Sequence, residues 1–315
     1  MTPKTYIYAF NYDHTESDLC KLESFNLFNE REENKFLFSS IKIDPSSSAY
    51  IKKRLDVALY STNYNTLIHQ IKVLNICIER FKVEYLLLAG DTTENAERLK
   101  KARDIGFSIE GEPDYYTPTT VYSICFHNNV WYFGELIKNN FDWHKHKQKP
   151  FSFSNSISIG IGKALLNIAS NGHKDKKLLD ACCGVGTILL EGCFAGFSIE
   201  GNDINEKTCH YARENLSHFN YSVPVHHSDI DALNLNYDAI IIDLPYNLFT
   251  KISADTHAHI IESASKLTSK LVIVSTTDIT DLIHHAGFKV EGYCSVSKRG
   301  KKTFARKIWV CQKVE

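Results

Sequence analysis

Leu178 to Asp203 reads LLDACCGVGTILLEGCFAGFSIEGND, and it passes through four local structures in order. Lys176 to Ala181 is an apolar run of the kind buried in a parallel sheet, Cys183 to Gly186 holds a Gly-x-Gly turn, and Thr187 to Phe194 opens a helix on that turn. Phe197 to Gly201 is a second short strand closing on Asp203. In such a unit the glycines let backbone approach a ligand, because a side chain there would occupy the ligand's space. A carboxylate ending the second strand is placed to accept two hydrogen bonds from ribose hydroxyls, a geometry that serves any adenosine cofactor. The turn Gly184-Val185-Gly186 lacks the third glycine that a dinucleotide pyrophosphate requires, which disfavours NAD. Taken singly, Gly-x-Gly is also a plain tight turn, and Asp203 a plain N-cap ahead of the helical stretch Asn205 to Phe219. Their joint placement on one βαβ unit points to a site.

Some forty residues on, Tyr237 to Phe249 reads YDAIIIDLPYNLF. Ala239 to Ile242 is of strand type, so Asp243-Leu244-Pro245-Tyr246 falls at a strand's carboxyl end, where open α/β sheets bind ligands. Pro245 fixes its own φ and biases Leu244 toward an extended conformation. The Tyr246 ring can stack on a flat heterocycle, while Asp243 and the Leu244 carbonyl accept from an exocyclic amine. Such an amine is a poor nucleophile because its lone pair is delocalised into the ring. Two acceptors out of the ring plane favour a more tetrahedral nitrogen and stabilise positive charge as a methyl group arrives. Alone, the segment reads as a strand ending in a proline turn with a buried tyrosine.

Together these segments resemble class I S-adenosylmethionine-dependent methyltransferases, and among them the THUMP-containing tRNA guanosine-N2 methyltransferases. The likeness rests on LLDACCGVGTILLEG, EGNDIN, DLPYNL and the preceding KPFSFSNSISIGIGKALLNIA, and it covers Lys149 onward. The resemblance implies that Asp180, Gly184, Gly186 and Thr187 surround the methionine part of the cofactor. It implies Asp203 on the ribose, Ile204 against the adenine face, and Asp229 of HHSDID accepting from the adenine amine. Asp243 and Tyr246 become the catalytic acceptor and the stacking platform, flanked by Leu244 and Pro245. Leu244 stands where the family more commonly has a second proline, and Asn247 where it often has glycine. An adenine-N6 methyltransferase, a protein glutamine methyltransferase and a non-catalytic RNA-binding protein with a vestigial cofactor pocket stay open as alternatives.

The chain has 315 residues, a length that suits about two domains, with 43% apolar and 23% charged residues, an ordinary globular balance. No apolar run approaches the ~18 residues of a membrane span, and the N-terminus lacks a secretory pattern, so no membrane partner and a cytoplasmic location are expected. Nine scattered cysteines without Cys-x-x-Cys argue against a disulfide framework or a zinc site, and no metal is expected. The 36 basic and 37 acidic residues leave a formal net charge of -1, so RNA binding, tRNA in particular, has to rest on local patches. His144 to Lys149 (HKHKQK) reads as a solvated linker. Lys298 to Lys307 (KRGKKTFARK) reads as a phosphate contact or a charged hairpin.

The N-terminal half reads as α+β. Tyr6 to Phe10, Phe36 to Ile43, Leu55 to Ser61 and Glu84 to Ala89 are strand-like, while Leu67 to Ile78 and Asp91 to Ile105 are helical. Thr119 to His127 and Val130 to Ile137 form a hairpin about His127-Asn128-Asn129. The expected architecture is an N-terminal α+β region, residues 1–150, degenerate THUMP-like and RNA-positioning. Residues 151–315 follow as a Rossmann-like, seven-stranded α/β methyltransferase sheet whose last strand, Phe304 to Cys311, is antiparallel.

Overall fold

The computed structural model describes residues 4–154, 156–245, 254–297 and 305–314. Up to residue 140 the elements are β1 (Tyr6–Phe10), α1 (Ser17–Phe28), β2 (Phe36–Ser39), β3 (Ile51–Ser61), α2 (Tyr64–Val73), β4 (Phe81–Tyr85), α3 (Asn95–Gly106), β5 (Thr120–His127) and β6 (Val130–Lys138). Two compact units emerge, and the first takes all of these except α1.

In the first unit six strands run in the order β2-β1-β3-β6-β5-β4, antiparallel but for the parallel pair β4–β5. The β5–β6 hairpin turns on Asn128 and Asn129, at φ 47° and 61°. Two positive values are what a two-residue turn needs to match strand twist, and asparagine tolerates them better than most residues. Leu67, Ile71, Ile105 and Ile109 pack with Ile124, Trp131 and Phe133 beneath α2 and α3. The apolar run Tyr85 to Ala89 suggests a strand over Glu84 to Ala89, but β4 ends at Tyr85. Leu86 and Leu88 are buried in the loop that follows, so their hydrophobicity reflects packing rather than pairing.

The second unit contains α1 and everything from Phe141: α4 (Ile159–Ser170), β7 (Lys177–Asp180), α5 (Thr187–Ala195), β8 (Ser198–Asp203), α6 (Glu206–His218), β9 (Val225–His227), β10 (Ala239–Asp243), α7 (Ala254–Ser265), β11 (Lys270–Ser275), α8 (Thr280–His285), β12 (Phe288–Ser297) and β13 (Ala305–Lys313). Its seven strands run β12-β13-β11-β10-β7-β8-β9. Strands β7 to β11 are parallel, and β13 is antiparallel to both neighbours. From β7 the chain steps outward through β8 to β9, then returns to pair β10 on the other side of β7. That reversal opens a crevice beyond the carboxyl ends of β7 and β10, the place where open α/β sheets bind ligands.

Helix α1 lies in this unit although it precedes residue 150, packing on α4 and β12. Leu19, Leu22, Leu27 and Phe28 are almost wholly buried, at roughly 1.5–3 kcal/mol of gross transfer energy each. Its buried Glu23 accepts from Ser48 Oγ and from Asn167 Nδ2 on α4, each at 2.7 Å. Residues 141–148 also belong here. Within the short 3-10 stretch Asp142–Gln148, Trp143 and His146 are buried, and His146 Nδ1 lies 2.6 Å from Glu191 Oε1 of α5. The segment read as a solvated linker is therefore docked through its aromatic side chains.

Candidate active site

A cavity of about 380 Å³ opens at the crevice beyond β7 and β10, lined by Asp180, Cys182 to Val185, Thr187 and Ile188, by Asp203 to Asn205 and Thr208, by Asp243 to Pro245, and by Phe153, Ser156 and Ile157. The volume is that of a small-molecule site. Of the residues singled out in the sequence, Asp180, Gly184, Thr187, Asp203, Ile204, Asp243, Leu244 and Pro245 meet in it.

The two glycines divide their work. Gly184 has φ 52° and open space where a Cβ would stand, facing the cavity, whereas Gly186, at φ 77°, would place a Cβ 3.2 Å from that of Ala212 on α6. Gly186 thus lets α6 approach the turn, and it does not line the cavity.

Asp203 ends β8 facing the turn. Its Oδ2 accepts from the Gly184 amide at 2.8 Å, and its Oδ1 from the Asn205 amide at 2.9 Å and Thr208 Oγ1 at 3.0 Å. Asn205, not Asp203, caps α6, accepting from the Lys207 and Thr208 amides. An ionised carboxylate has about four acceptor positions, so roughly one remains, on Oδ2.

Three polar atoms against this cavity, Asp180 Oδ1, Thr187 Oγ1 and Asp243 Oδ1, are buried with no hydrogen-bond partner among the described residues. Burial first, then the charges of Asp243 and Asp203, hold the Asp180 carboxyl well above its ordinary range. Burial likewise pushes Asp243 up to about 7, against the opposing charge of Arg306. Unsatisfied buried acceptors are costly. Two carboxyls aimed at one cavity suit a ligand with cationic centres and amine hydrogens. Cys182 and Cys183 are pushed up by burial and by neighbouring carboxylates, so these thiols stay protonated.

Asp243 has a thermodynamic signature. Its carboxyl binds a proton in the folded protein at pH values where the unfolded chain has lost it, so stability is full below 3.8 and is lost as pH rises to about 7. The gap corresponds to roughly 4 kcal/mol. The cofactor-free Asp243→Asn protein is accordingly expected to melt several degrees above wild type at pH 8, with the difference reduced to less than half near pH 5 and vanishing only below about 3.8. Scanning calorimetry at the two pH values checks this, and equal melting temperatures at pH 8 would refute it.

Asp229 stands apart from the cavity lining. It caps the turn Ile230–Ala232, and its Oδ1 lies 2.9 Å from His259 Nε2 of α7. Burial works against its charge, but the bonds from His259 and the Asp231 amide outweigh it and lower its carboxyl. Asp229, Asp231 and His259 each offer a ligand atom within 4.8 Å of the others, a partly exposed acidic cluster. Tyr246, Asn247 and residues 298–304 of the basic patch lie outside the described residues. Arg306, in the same patch, is buried rather than set out for phosphate. Sequence reasoning missed Phe153, Ser156, Ile157 and Thr208; of these, Thr208 had a signal, three residues past the Asn205 cap.

Residues 147–289 match the family described as UPF0020, the RMKL-like methyltransferase domain. A 75-residue segment is 37% identical to the tRNA (guanine(10)-N2)-dimethyltransferase of Methanothermobacter thermautotrophicus, covering 23% of this chain and 22% of that relative's length. Among solved structures, TrmN from Thermus thermophilus aligns over 98% of this chain and 100% of its own, with 16% identity and a TM-score of 0.47. A protein from Listeria monocytogenes described as a predicted N6-adenine-specific DNA methylase aligns over 98% and 96%, with 11% identity and a TM-score of 0.45. With the strand order and the crevice, the match identifies residues 147–289 as a class I, S-adenosylmethionine-dependent methyltransferase domain, similar over this span to the RMKL-like family.

Proposed function

We propose that this chain methylates an exocyclic amine of an RNA base, guanosine N2 of tRNA being the target its sequence favours. The observation that carries the reading is Asp243. A half-buried aspartate whose Oδ1 is buried without a partner among the described residues ends the strand beside the cofactor crevice and leads directly into Leu244-Pro245. The loop start is held by the Leu244 amide bonding to the Val274 carbonyl at 3.0 Å, and by His257 Nε2 at 2.9 Å from the Pro245 carbonyl. The relative from Methanothermobacter, named for a guanine-N2 activity, supports guanosine over adenine.

S-adenosylmethionine supplies an electrophilic methyl group on a cationic sulfur. Asp180, Thr187 and the Gly184 turn would face its methionine part, Asp203 its ribose and Ile204 its adenine. Ionised Asp243 accepts a hydrogen bond from the base amine, drawing the nitrogen out of conjugation, and then takes its proton. Tyr246 supplies a stacking surface. A base inside a helix cannot reach this crevice, so the target nucleotide is unpaired or extruded. The first unit would position the RNA. No helix among the described residues is long and apolar enough to cross a membrane, and a cytoplasmic enzyme is the corresponding reading.

Nucleoside mass spectrometry of tRNA from cells lacking the gene tests this. The expected result is loss of N2-methylguanosine, restored by wild type but not by Asp243→Ala. Loss of N6-methyladenosine would transfer the reading to adenine, and an unchanged RNA profile with altered protein glutamine methylation would remove RNA from it.

A further inference from the structure

Strand alternation sorts the side chains around Asp243 into two faces. Leu179, Ala181, Ile240, Ile242, Leu244, Ile273 and Trp309 enter the core shared with α7 and α8. Asp180, Asp243, Ile308 and Arg306 therefore emerge on the opposite face. Asp243, Val274 and Ile308 are level across β10, β11 and β13, and Arg306 lies two residues beyond Ile308, toward the carboxyl edge. At ~4.8 Å per strand the β10 and β13 backbones are roughly 10 Å apart, a gap that an arginine side chain largely covers.

Arg306 is 8% exposed, which is unusual for an arginine. Its Nη2 lies 3.4 Å from the carbonyl of Ser156, a residue of the cavity wall with Phe153 and Ile157. The other titratable groups about Asp243 are Asp180 of β7, Asp203 of β8, Cys182 of the turn and His257 of α7. Lys307 points to the other face of β13. Lys163 of α4 lies 3.7 Å from Glu191. Among the described residues, Arg306 is the cation whose charge acts on Asp243.

We propose that Arg306 is a positioning residue of the transfer reaction, drawing Asp243 toward the ionised form that takes the amine proton and tying the cavity wall of Phe153, Ser156 and Ile157 to the sheet through Ser156. The proposal rests on the methyl-transfer reading. As the nitrogen–methyl bond forms and the methyl–sulfur bond breaks, its electron pair staying on the departing neutral thioether, the nitrogen's proton passes to the Asp243 carboxylate, which is left neutral and returns the proton to water. A carboxyl already protonated cannot take the amine proton. Burial drives Asp243 toward that inactive state, and Arg306 restrains it.

The test is a carbon-13 NMR titration of the Asp243 carboxyl in the full chain without cofactor, in wild type, Arg306→Gln and Arg306→Lys. Arg306→Gln should raise the midpoint by about one pH unit or more, as expected on removing a nearby opposite charge, and Arg306→Lys should raise it less. In transfer assays the acid limb of kcat should move by the same amount in each variant, with the rate recovering at high pH. An unmoved carboxyl midpoint in a folded Arg306→Gln protein, or a rate loss equal at all pH values, overturns the proposal. A shifted midpoint in a protein that methylates no RNA upholds the pairing with Asp243 and overturns the methyl-transfer reading instead.

Discussion

Single-turnover methyl transfer by the Asp243→Ala protein is expected to fall at least ~100-fold, the cost of removing a preorganised transition-state acceptor. Affinity for S-adenosylmethionine should change only a few-fold, because the ribose and turn contacts expected of Asp203 and Gly184 are untouched. Asp243→Asn should be comparably slow, since an amide keeps an acceptor oxygen but cannot take the proton. Rapid-quench transfer assays alongside calorimetric titration separate rate from binding. Should affinity fall in step with rate, Asp243 would be a cofactor ligand rather than the acceptor for the substrate amine.

Asp203→Ala should act on the opposite quantity. The carboxylate already accepts from Gly184, Asn205 and Thr208, leaving roughly one acceptor position for a ribose hydroxyl rather than the two read from the sequence. One charge-assisted bond of about 1.5–3 kcal/mol corresponds to a roughly 10- to 150-fold loss of affinity. Further loss comes from the Gly184 amide, which would lose its acceptor and leave the turn less ordered. Isothermal titration with S-adenosylmethionine measures the sum. Unchanged affinity would remove Asp203 from the cofactor site, and tight NAD binding in its place would remove the cofactor assignment.

Much of the second unit was legible because its signals are local. Strand β7, the Gly-x-Gly turn, α5 and β8 follow one another within about thirty residues, and each announces itself by apolar run, glycine or carboxylate. Helix α1 was not legible. Buried against both α4 and β12, it spreads Leu19, Cys20, Leu22, Leu27 and Phe28 around much of its circumference and carries Glu23 and Ser24 inside. A helix covered on two sides has no single apolar stripe for periodicity to find. Arg306 was misread for a related reason. In KRGKKTFARK every cation looks alike, and strand alternation alone turns this one inward. Asp229 was placed by resemblance, and the structure gives it a cap and a histidine neighbour outside the cavity lining.

The early position of α1 has a consequence for biosynthesis. One packing surface, α4, begins at Ile159, and the other, β12, at Phe288, some 260 residues after α1 ends. At ribosomal rates of about 5–20 residues per second, the strand arrives roughly 13 to 50 seconds after the helix. Over that interval the first unit's sheet is fully synthesised, while Leu19, Leu22, Leu27 and Phe28 have yet to meet all of their partners. A ribosome stalled before Phe288 would therefore present a greasy helix still short of its β12 surface, a ready substrate for holding chaperones and a place where slow translation favours aggregation.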